Sequence, residues 1–177
     1  NQGDYLFFKF CLIAAPIFIF GIYEDVTQLV TPKWRLFGSV LSAAFFIFIF
    51  DCTITNVSIS YFNNMLSYKL ISIVFTLLCI IYIIQAFNII DGLNGLSLTT
   101  AILSLLSLSF IAFKLNDFEV LNISLHLVFI LTGVFVFNFP LGKIFIGDSG
   151  AYVTGLFVST CLIFFIEKNS NVSPFVI

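Results

Sequence analysis

Six long apolar runs, at residues 5–23, 34–50, 66–87, 95–113, 120–138 and 149–166, leave this chain few ways to fold. A helix needs about 20 apolar residues to cross a bilayer, with about 17–25 as the working range. Each run therefore reads as a spanning helix, and the chain reads as an all-α, polytopic transmembrane helix bundle. The second run is the shortest and needs a tilt or a thinned bilayer to cross. Composition agrees: 60% of the 177 residues are hydrophobic and 9% are charged, where a soluble domain carries about a quarter as charge. No internal repeat or low-complexity linker divides the chain, so one transmembrane domain covers 1–177. The net charge of -2 is too small to imply a nucleic-acid or anionic-lipid partner. Cys11, Cys52, Cys79 and Cys161 form no metal or redox motif and are expected to be buried packing thiols. The chain opens at Asn1 without a basic-then-apolar leader and ends in "SPFVI", so both ends read as cut from something longer.

Six spans put the connections at 21–35, 88–96 and 138–150 on one face. The other face receives 51–65, 114–119 and the tail from Glu167. The acid, amide and glycine residues of those three connections therefore converge on the first face. Lysine and arginine do not orient it: Lys33, Arg35 and Lys143 lie there, against Lys69, Lys114 and Lys168 opposite, with Lys9 nearby. Lys9 and Lys69 sit near span ends, where a lysine can snorkel to the interface.

Three polar stretches on that face admit two readings each. In "FNIIDGLNGL", Asn88 and Asp91 are three apart, so a helical turn aims both side chains one way. An amide oxygen and a carboxylate suit Mg²⁺, or ribose and base hydroxyls; the same residues also suit a C-cap, a turn and an N-cap. In "IFIGDSGAY", Asp148 is either the N-cap of the sixth helix or a metal ligand beside free N–H groups that favour phosphate. In "GIYEDVTQLVTPKWRL", Glu24 and Asp25 can hold a cation or take up a proton, while Lys33 and Arg35 steady a diphosphate. Alternatively this is an interfacial loop anchored by Trp34. His126, inside the fifth run, is expected to bond a neighbouring helix. The N-x-S triplets at Asn56, Asn122 and Asn171 match a glycosylation pattern that is frequent by chance.

In their order and spacing, these three stretches resemble the polyprenyl-phosphate N-acetylhexosamine-1-phosphate transferases, glycosyltransferase family 4. That superfamily includes the bacterial undecaprenyl-phosphate GlcNAc-1-phosphate transferase and the MurNAc-pentapeptide translocase. The pattern N-x-x-D-G-x-[DN]-G-L followed by G-D-[SA]-G carries the resemblance, which runs from Gly21 to Pro174. It implies a ten- or eleven-span enzyme of the bacterial cytoplasmic membrane with its active site facing the cytosol. The tail "NSNVSPFVI" is similar to the segment opening the next family helix. A histidine-rich cytosolic loop should follow residue 177, and further spans should precede residue 1, so the chain alone is expected to be inactive.

The resemblance also implies roles. The family's Asp-Asp pair falls on Glu24 and Asp25, a departure at the first position, and Gln28 stands in the region of a later aspartate. Asn88 and Asp148 match the magnesium ligands, and Asp91 matches a loop aspartate assigned to metal or nucleotide contact. Asn94 replaces a second aspartate, as in the sugar-phosphate branch, and joins Lys33 and Arg35 as a substrate contact. The implied reaction moves an N-acetylhexosamine 1-phosphate from a UDP-sugar such as UDP-GlcNAc to polyprenyl phosphate. It releases UMP and opens cell-wall, lipopolysaccharide or O-antigen synthesis. The implied cofactor is Mg²⁺, the partners are the UDP-sugar, the lipid phosphate and the bilayer, and a homodimer is compatible with them. A phosphate monoester's second pKa lies near about 6, so the acceptor is mostly a dianion at neutrality and Glu24 need not be an obligatory base. Two other readings stand beside this one. A non-catalytic assembly homologue fits the Glu24 departure, and an ion-coupled secondary transporter would use Asp91 and Asp148. Transporters place such acids near the midplane within repeats, whereas these lie at span ends.

Overall fold

The computed structural model describes residues 2–29, 31–140, 142–169, 172 and 174, with side chains from Tyr5 onward. Among these residues there are seven α-helices and no strand: α1 (Gln2–Thr27), α2 (Pro32–Phe50), α3 (Ser60–Leu66), α4 (Lys69–Ile90), α5 (Leu96–Lys114), α6 (Phe118–Asn138) and α7 (Gly147–Lys168). All except α3 are long and apolar enough to cross a membrane. The short second run qualifies because its helix starts earlier than hydropathy suggests. Pro32 holds φ ready for a first turn and lacks an N–H that would be unbonded there anyway. The third span begins at Lys69 rather than 66, since α3 takes the preceding segment. The helix also runs on to Ile90 rather than ending at 87, which puts Asn88 in its last turn. Of the tail from 169 to 177, only Asn169, Val172 and Pro174 are described, so the Asn171 triplet and the expected next helix lie outside the described residues.

The central helix is α7: 61% of its most apolar stretch is buried, against 28–39% in the other five spans. Its sequence explains the position. Lipid tails are as apolar as leucine, so helices in a bilayer associate by close packing, which small residues permit. The buried face of α7 carries Ala151, Thr154, Gly155, Ser159, Thr160 and Cys161. A Cβ on Gly155 would stand 2.9 Å from the Ile84 Cα of α4, and one on Gly21 of α1 would stand 2.4 Å from the Ser149 Cα of α7. Hydroxyls and amides add interhelical bonds: Ser109 to Ser124 at 2.8 Å joins α5 to α6, and Gln85 Nε2 donates to Ser39 Oγ at 2.9 Å between α4 and α2. Pro16 interrupts the ladder of α1, and the next N–H, from Ile17, donates to Ser42 Oγ of α2 at 3.1 Å. Neighbouring hydroxyls of this kind are what let a proline sit inside a spanning helix.

Two expectations change. Cys161 is buried, but Cys11 is exposed and Cys52 and Cys79 are only half-buried, because Cys52 and Cys79 flank the core that encloses Cys161 and Cys11 lies outside it. His126 is exposed and bonds within its own helix, Nδ1 to the Asn122 carbonyl at 2.6 Å, so no neighbouring helix partners it among the described residues. The polar connections segregate to two ends. At the first end are the α1–α2, α4–α5 and α6–α7 connections. At the other, Ile54 is held to α4 through its N–H to Thr76 (2.8 Å) and its carbonyl from Ser72 (2.8 Å). There too Glu167 takes the Thr55 N–H at 2.8 Å, and Lys168 bonds Asp117 at 2.7 Å and Glu119 at 2.8 Å.

Candidate active site

Glu24 and Asp25 are adjacent in the last turns of α1 yet differ in environment, Glu24 being buried and Asp25 exposed. The start of α7 determines what Asp25 does. Its capping position is Ile146, whose side chain offers no acceptor to the unbonded N–H groups of a first turn. Asp25 supplies the acceptor from 123 residues earlier: Oδ1 takes the Asp148 N–H at 2.8 Å, and Oδ2 takes the Ser149 N–H at 3.1 Å and hydroxyl at 2.5 Å. Gly147 makes room for this with a φ of +67°, and a Cβ there would meet both carboxylate oxygens at 2.8 and 2.9 Å. Asp148 is therefore not the cap of its own helix, and the N–H groups of Asp148 and Ser149 are occupied rather than free for phosphate.

Released from capping, the Asp148 side chain faces Arg35. Arg35, in the first turns of α2, bonds Glu24 Oε1 through Nη2 and lies 3.4 Å from Asp148 Oδ2 through Nη1. One guanidinium thus bridges a carboxylate on α1 and another on α7. Tyr152 lies one turn beyond Asp148 and is 1% exposed. Its hydroxyl is within hydrogen-bonding reach of Arg35 and near the Asp148 and Glu24 charges, yet makes no well-aligned hydrogen bond. Glu24 Oε2 and Arg35 Nε are likewise buried without a partner. An unpaired buried polar atom costs about 1–3 kcal/mol, so three in one place mark this cluster as under-satisfied. Trp34 stacks on Phe20, with centroids 6.2 Å apart and planes at 16°, so it anchors the same turn.

The "NIIDGLNGL" stretch forms the neighbouring wall. Asn88 is half-buried, and its side chain makes no hydrogen bond among the described residues. Asp91 terminates α4 and accepts the Ser97 hydroxyl from the start of α5. Burial pushes the Asp91 carboxyl above the usual carboxylate range; the Ser97 bond offsets part of this, and the Asp148 charge adds to it. Gly95 adopts φ +80° to start α5, and its N–H donates to Asn138 Oδ1 at 2.6 Å. Asn138 Nδ2 in turn donates to the Ile144 carbonyl at 2.8 Å, so one buried amide ties the α4–α5 turn to the α6–α7 connection. Sequence reasoning passed over Asn138; an asparagine closing an apolar run just before Pro140 was the available signal. Tyr152 was missed too, although its i+4 spacing from Asp148 places both on one face. Asn94 is exposed against Gly142, and Lys33 is exposed without an ion pair among the described residues. Glu24, Arg35, Asp148 and Asp91 are thus brought together, Asp25 serves the helix terminus, and Lys33 and Asn94 stand at the rim.

This arrangement suits a hard cation and a phosphate. Asp148 keeps an oxygen clear of Arg35, Asn88 has an unbonded amide, and Asp91 and Asp148 are close enough to repel. Mg²⁺ typically takes one or two carboxylates and completes its shell with waters and substrate phosphates. The donor set fits such an ion, although no group of three or more His, Cys, Asp or Glu side chains converges among the described residues.

A family model described as Glycosyl transferase family 4 matches residues 7–166. The chain is 28% identical over 139 residues to a phospho-N-acetylmuramoyl-pentapeptide-transferase of Streptococcus suis, covering 78% of this chain and 42% of the relative. A protein of that name from Streptococcus agalactiae is 27% identical over 134 residues, covering 76% and 40%. One from Streptococcus mutans is 36% identical over 98 residues, covering 55% and 29%. The chain spans about two fifths of the length of the first two relatives.

Proposed function

This chain belongs to glycosyl transferase family 4, and from that premise we propose that it contributes the carboxylate face of a sugar-1-phosphate transferase. The enzyme would take an N-acetylhexosamine 1-phosphate from its UDP-sugar to polyprenyl phosphate in a bacterial cytoplasmic membrane, the face bearing Asp148 toward the cytosol. The observation that carries the reading is the Glu24–Arg35–Asp148 cluster beside Asp91, at span ends rather than mid-membrane. That placement disfavours the transporter reading.

In the reaction, an oxygen of the lipid phosphate bonds to the β-phosphorus of the UDP-sugar. The bridging P–O bond to the α-phosphate breaks, and its electron pair leaves with UMP. The products are UMP and a polyprenyl diphosphate sugar. Phosphoryl transfer asks mainly for positioning and charge stabilisation. Arg35, on a mobile side chain between two carboxylates, can exchange one of them for a phosphate oxygen and hold the diphosphate in line. Glu24 holds the guanidinium at that spot until the ligand arrives, and Asp148 keeps it aimed there afterwards. Asp25 acts earlier in the chain of causes, fixing the α7 terminus and with it the Asp148 backbone. Mg²⁺ held by Asp148 and Asn88 would supply neutralisation of charge developing on the diphosphate. The acceptor phosphate is largely ionised at neutrality, so no side chain here has to remove its proton.

The names of the relatives favour a second transferred group, a phospho-N-acetylmuramoyl-pentapeptide; Asn94, where the resemblance places an aspartate in the pentapeptide branch, favours a plain N-acetylhexosamine. The test is UMP release by the full-length protein in polyprenyl-phosphate vesicles, given each donor separately. Release with a plain UDP-N-acetylhexosamine supports the reading. Release with the pentapeptide donor alone moves the enzyme to the other branch, and no release together with no donor binding favours the assembly homologue.

A further inference from the structure

The three buried atoms without partners, Glu24 Oε2, Arg35 Nε and the Tyr152 hydroxyl, come from α1, α2 and α7 and surround one guanidinium. Arg35 is engaged twice over, by Glu24 and by Asp148, and is still half-exposed to the open side of the site. Tyr152 is packed in place at 1% exposure by its own helix and its neighbours, so its hydroxyl cannot leave to find water. Buried polar atoms in a folded protein are nearly always partnered. A tyrosine hydroxyl buried within reach of Arg35, yet misaligned for a bond to either member of the salt bridge, points to a second arrangement of the same residues in which it is well bonded.

We propose that Tyr152 is the stand-in partner of Glu24: when a phosphate-bearing ligand draws the Arg35 guanidinium away, the Tyr152 hydroxyl donates to the Glu24 carboxylate that Arg35 has left. Glu24 is itself 7% exposed, so without such a donor its charge would be stranded in a dry site whenever Arg35 turns to phosphate. Phenylalanine would fill the same volume and strand it. Tyr152 is then a positioning residue, acting on the ligand only through Glu24 and Arg35. The inference rests on the transferase reading, since that reading supplies the phosphate that moves Arg35.

The test uses the full-length protein in detergent micelles and inorganic pyrophosphate as the probe, with affinity measured by calorimetry and ligand-free melting recorded in parallel. Tyr152→Phe should weaken pyrophosphate binding about tenfold while leaving ligand-free melting nearly unchanged, because the deleted hydroxyl has no well-aligned partner in that state. In a Glu24→Gln background the same change should cost less than about twofold, since a neutral amide needs no stand-in. Lower ligand-free melting with unchanged affinity would make Tyr152 a packing residue and overturn the inference. An equal tenfold loss in both backgrounds would mean that Tyr152 touches the anion directly, which overturns it as well. A wild-type protein that binds pyrophosphate just as its Tyr152→Phe variant does removes this inference and leaves the transferase reading standing. A wild-type protein that binds none removes both.

Discussion

Asp117 and Asp148 both stand near helix N-termini, at opposite ends of the bundle, and the molecule treats them differently. Asp117 is 7% exposed and fully answered: it caps α6 through the Val120 N–H at 3.3 Å, accepts Lys168 at 2.7 Å and takes the Asn169 amide at 2.9 Å. Burial alone would raise its carboxyl, but the bonds from Lys168, Asn169 and Val120 outweigh it and hold the group below the usual carboxylate range. At the other end the capping task of α7 is handed to Asp25, and Asp148 shares a single guanidinium with Glu24. Asp91 there is raised, and three buried polar atoms have no partner. A carboxylate whose donors are all present can only hold the fold together. Carboxylates left short of donors are a reservoir that a cation or a substrate can draw on, and stability is sacrificed for that readiness.

The largest effect should fall on catalysis at the under-satisfied end. Asp148→Asn in the full-length enzyme should lower UMP release at least about a thousandfold, roughly 4 kcal/mol of barrier. Its melting temperature should change little, because Asp25 and not Asp148 caps the helix. An Asp148→Asn enzyme with normal turnover and unchanged Mg²⁺ dependence would break the contrast between the two ends.

Asp117→Asn should do the reverse. Losing the charge that faces Lys168 should remove about 1–3 kcal/mol of stability near neutral pH, with turnover unchanged well below the melting temperature. Since the folded-state pKa of Asp117 is depressed, its contribution is present above the ordinary aspartate value and is lost as pH falls through the lower, folded value. The gap in melting between wild type and variant should therefore close in acid. A gap that stays constant with pH would assign the loss to the cap and not to the charge.

How far the sequence foretold this contrast depends on the range of each interaction. The six spans were legible because hydropathy is local, and even the short second run resolves once Pro32 is taken as a helix start. The convergence of Glu24, Arg35, Asp91 and Asp148 followed from alternating the spans. The division of labour among them did not, because it depends on contacts between residues far apart in the chain. Nothing near Ile146 says that its helix is capped from α1, and nothing near Asn138 says that its amide bridges two connections. The α3 helix was hidden for another reason: seven residues are too few to show a period.

Glu24 offers a finer test within the under-satisfied end. Its role as the holder of Arg35 depends on charge and tolerates some change of reach. Glu24→Asp should stay within about tenfold of wild-type turnover, roughly 1.4 kcal/mol. Glu24→Gln should lose more yet keep measurable turnover. Undetectable turnover of Glu24→Gln at every pH, in protein that still binds the UDP-sugar, would make Glu24 an obligatory base instead.

The smallest expected effect mirrors that of Asp117. Asp91 is raised, chiefly by burial, so the folded protein holds its proton more tightly than the unfolded chain does. Stability from this group is then greatest below the ordinary aspartate value and declines as pH rises through the raised, folded value. Asp91→Asn removes the charge that burial and Asp148 disfavour, while its amide oxygen can still accept the Ser97 hydroxyl. With divalent ions chelated, the variant should match wild type in acid and melt slightly higher at neutrality, by on the order of a degree or two. Added Mg²⁺ should narrow or reverse that difference, because a cation near Asp91 and Asp148 relieves in the wild type the repulsion that the variant lacks. If Asp91→Asn melts lower than wild type at neutral pH without Mg²⁺, Asp91 is as fully answered as Asp117, and the two ends of the bundle do not differ in the way their carboxylates indicate.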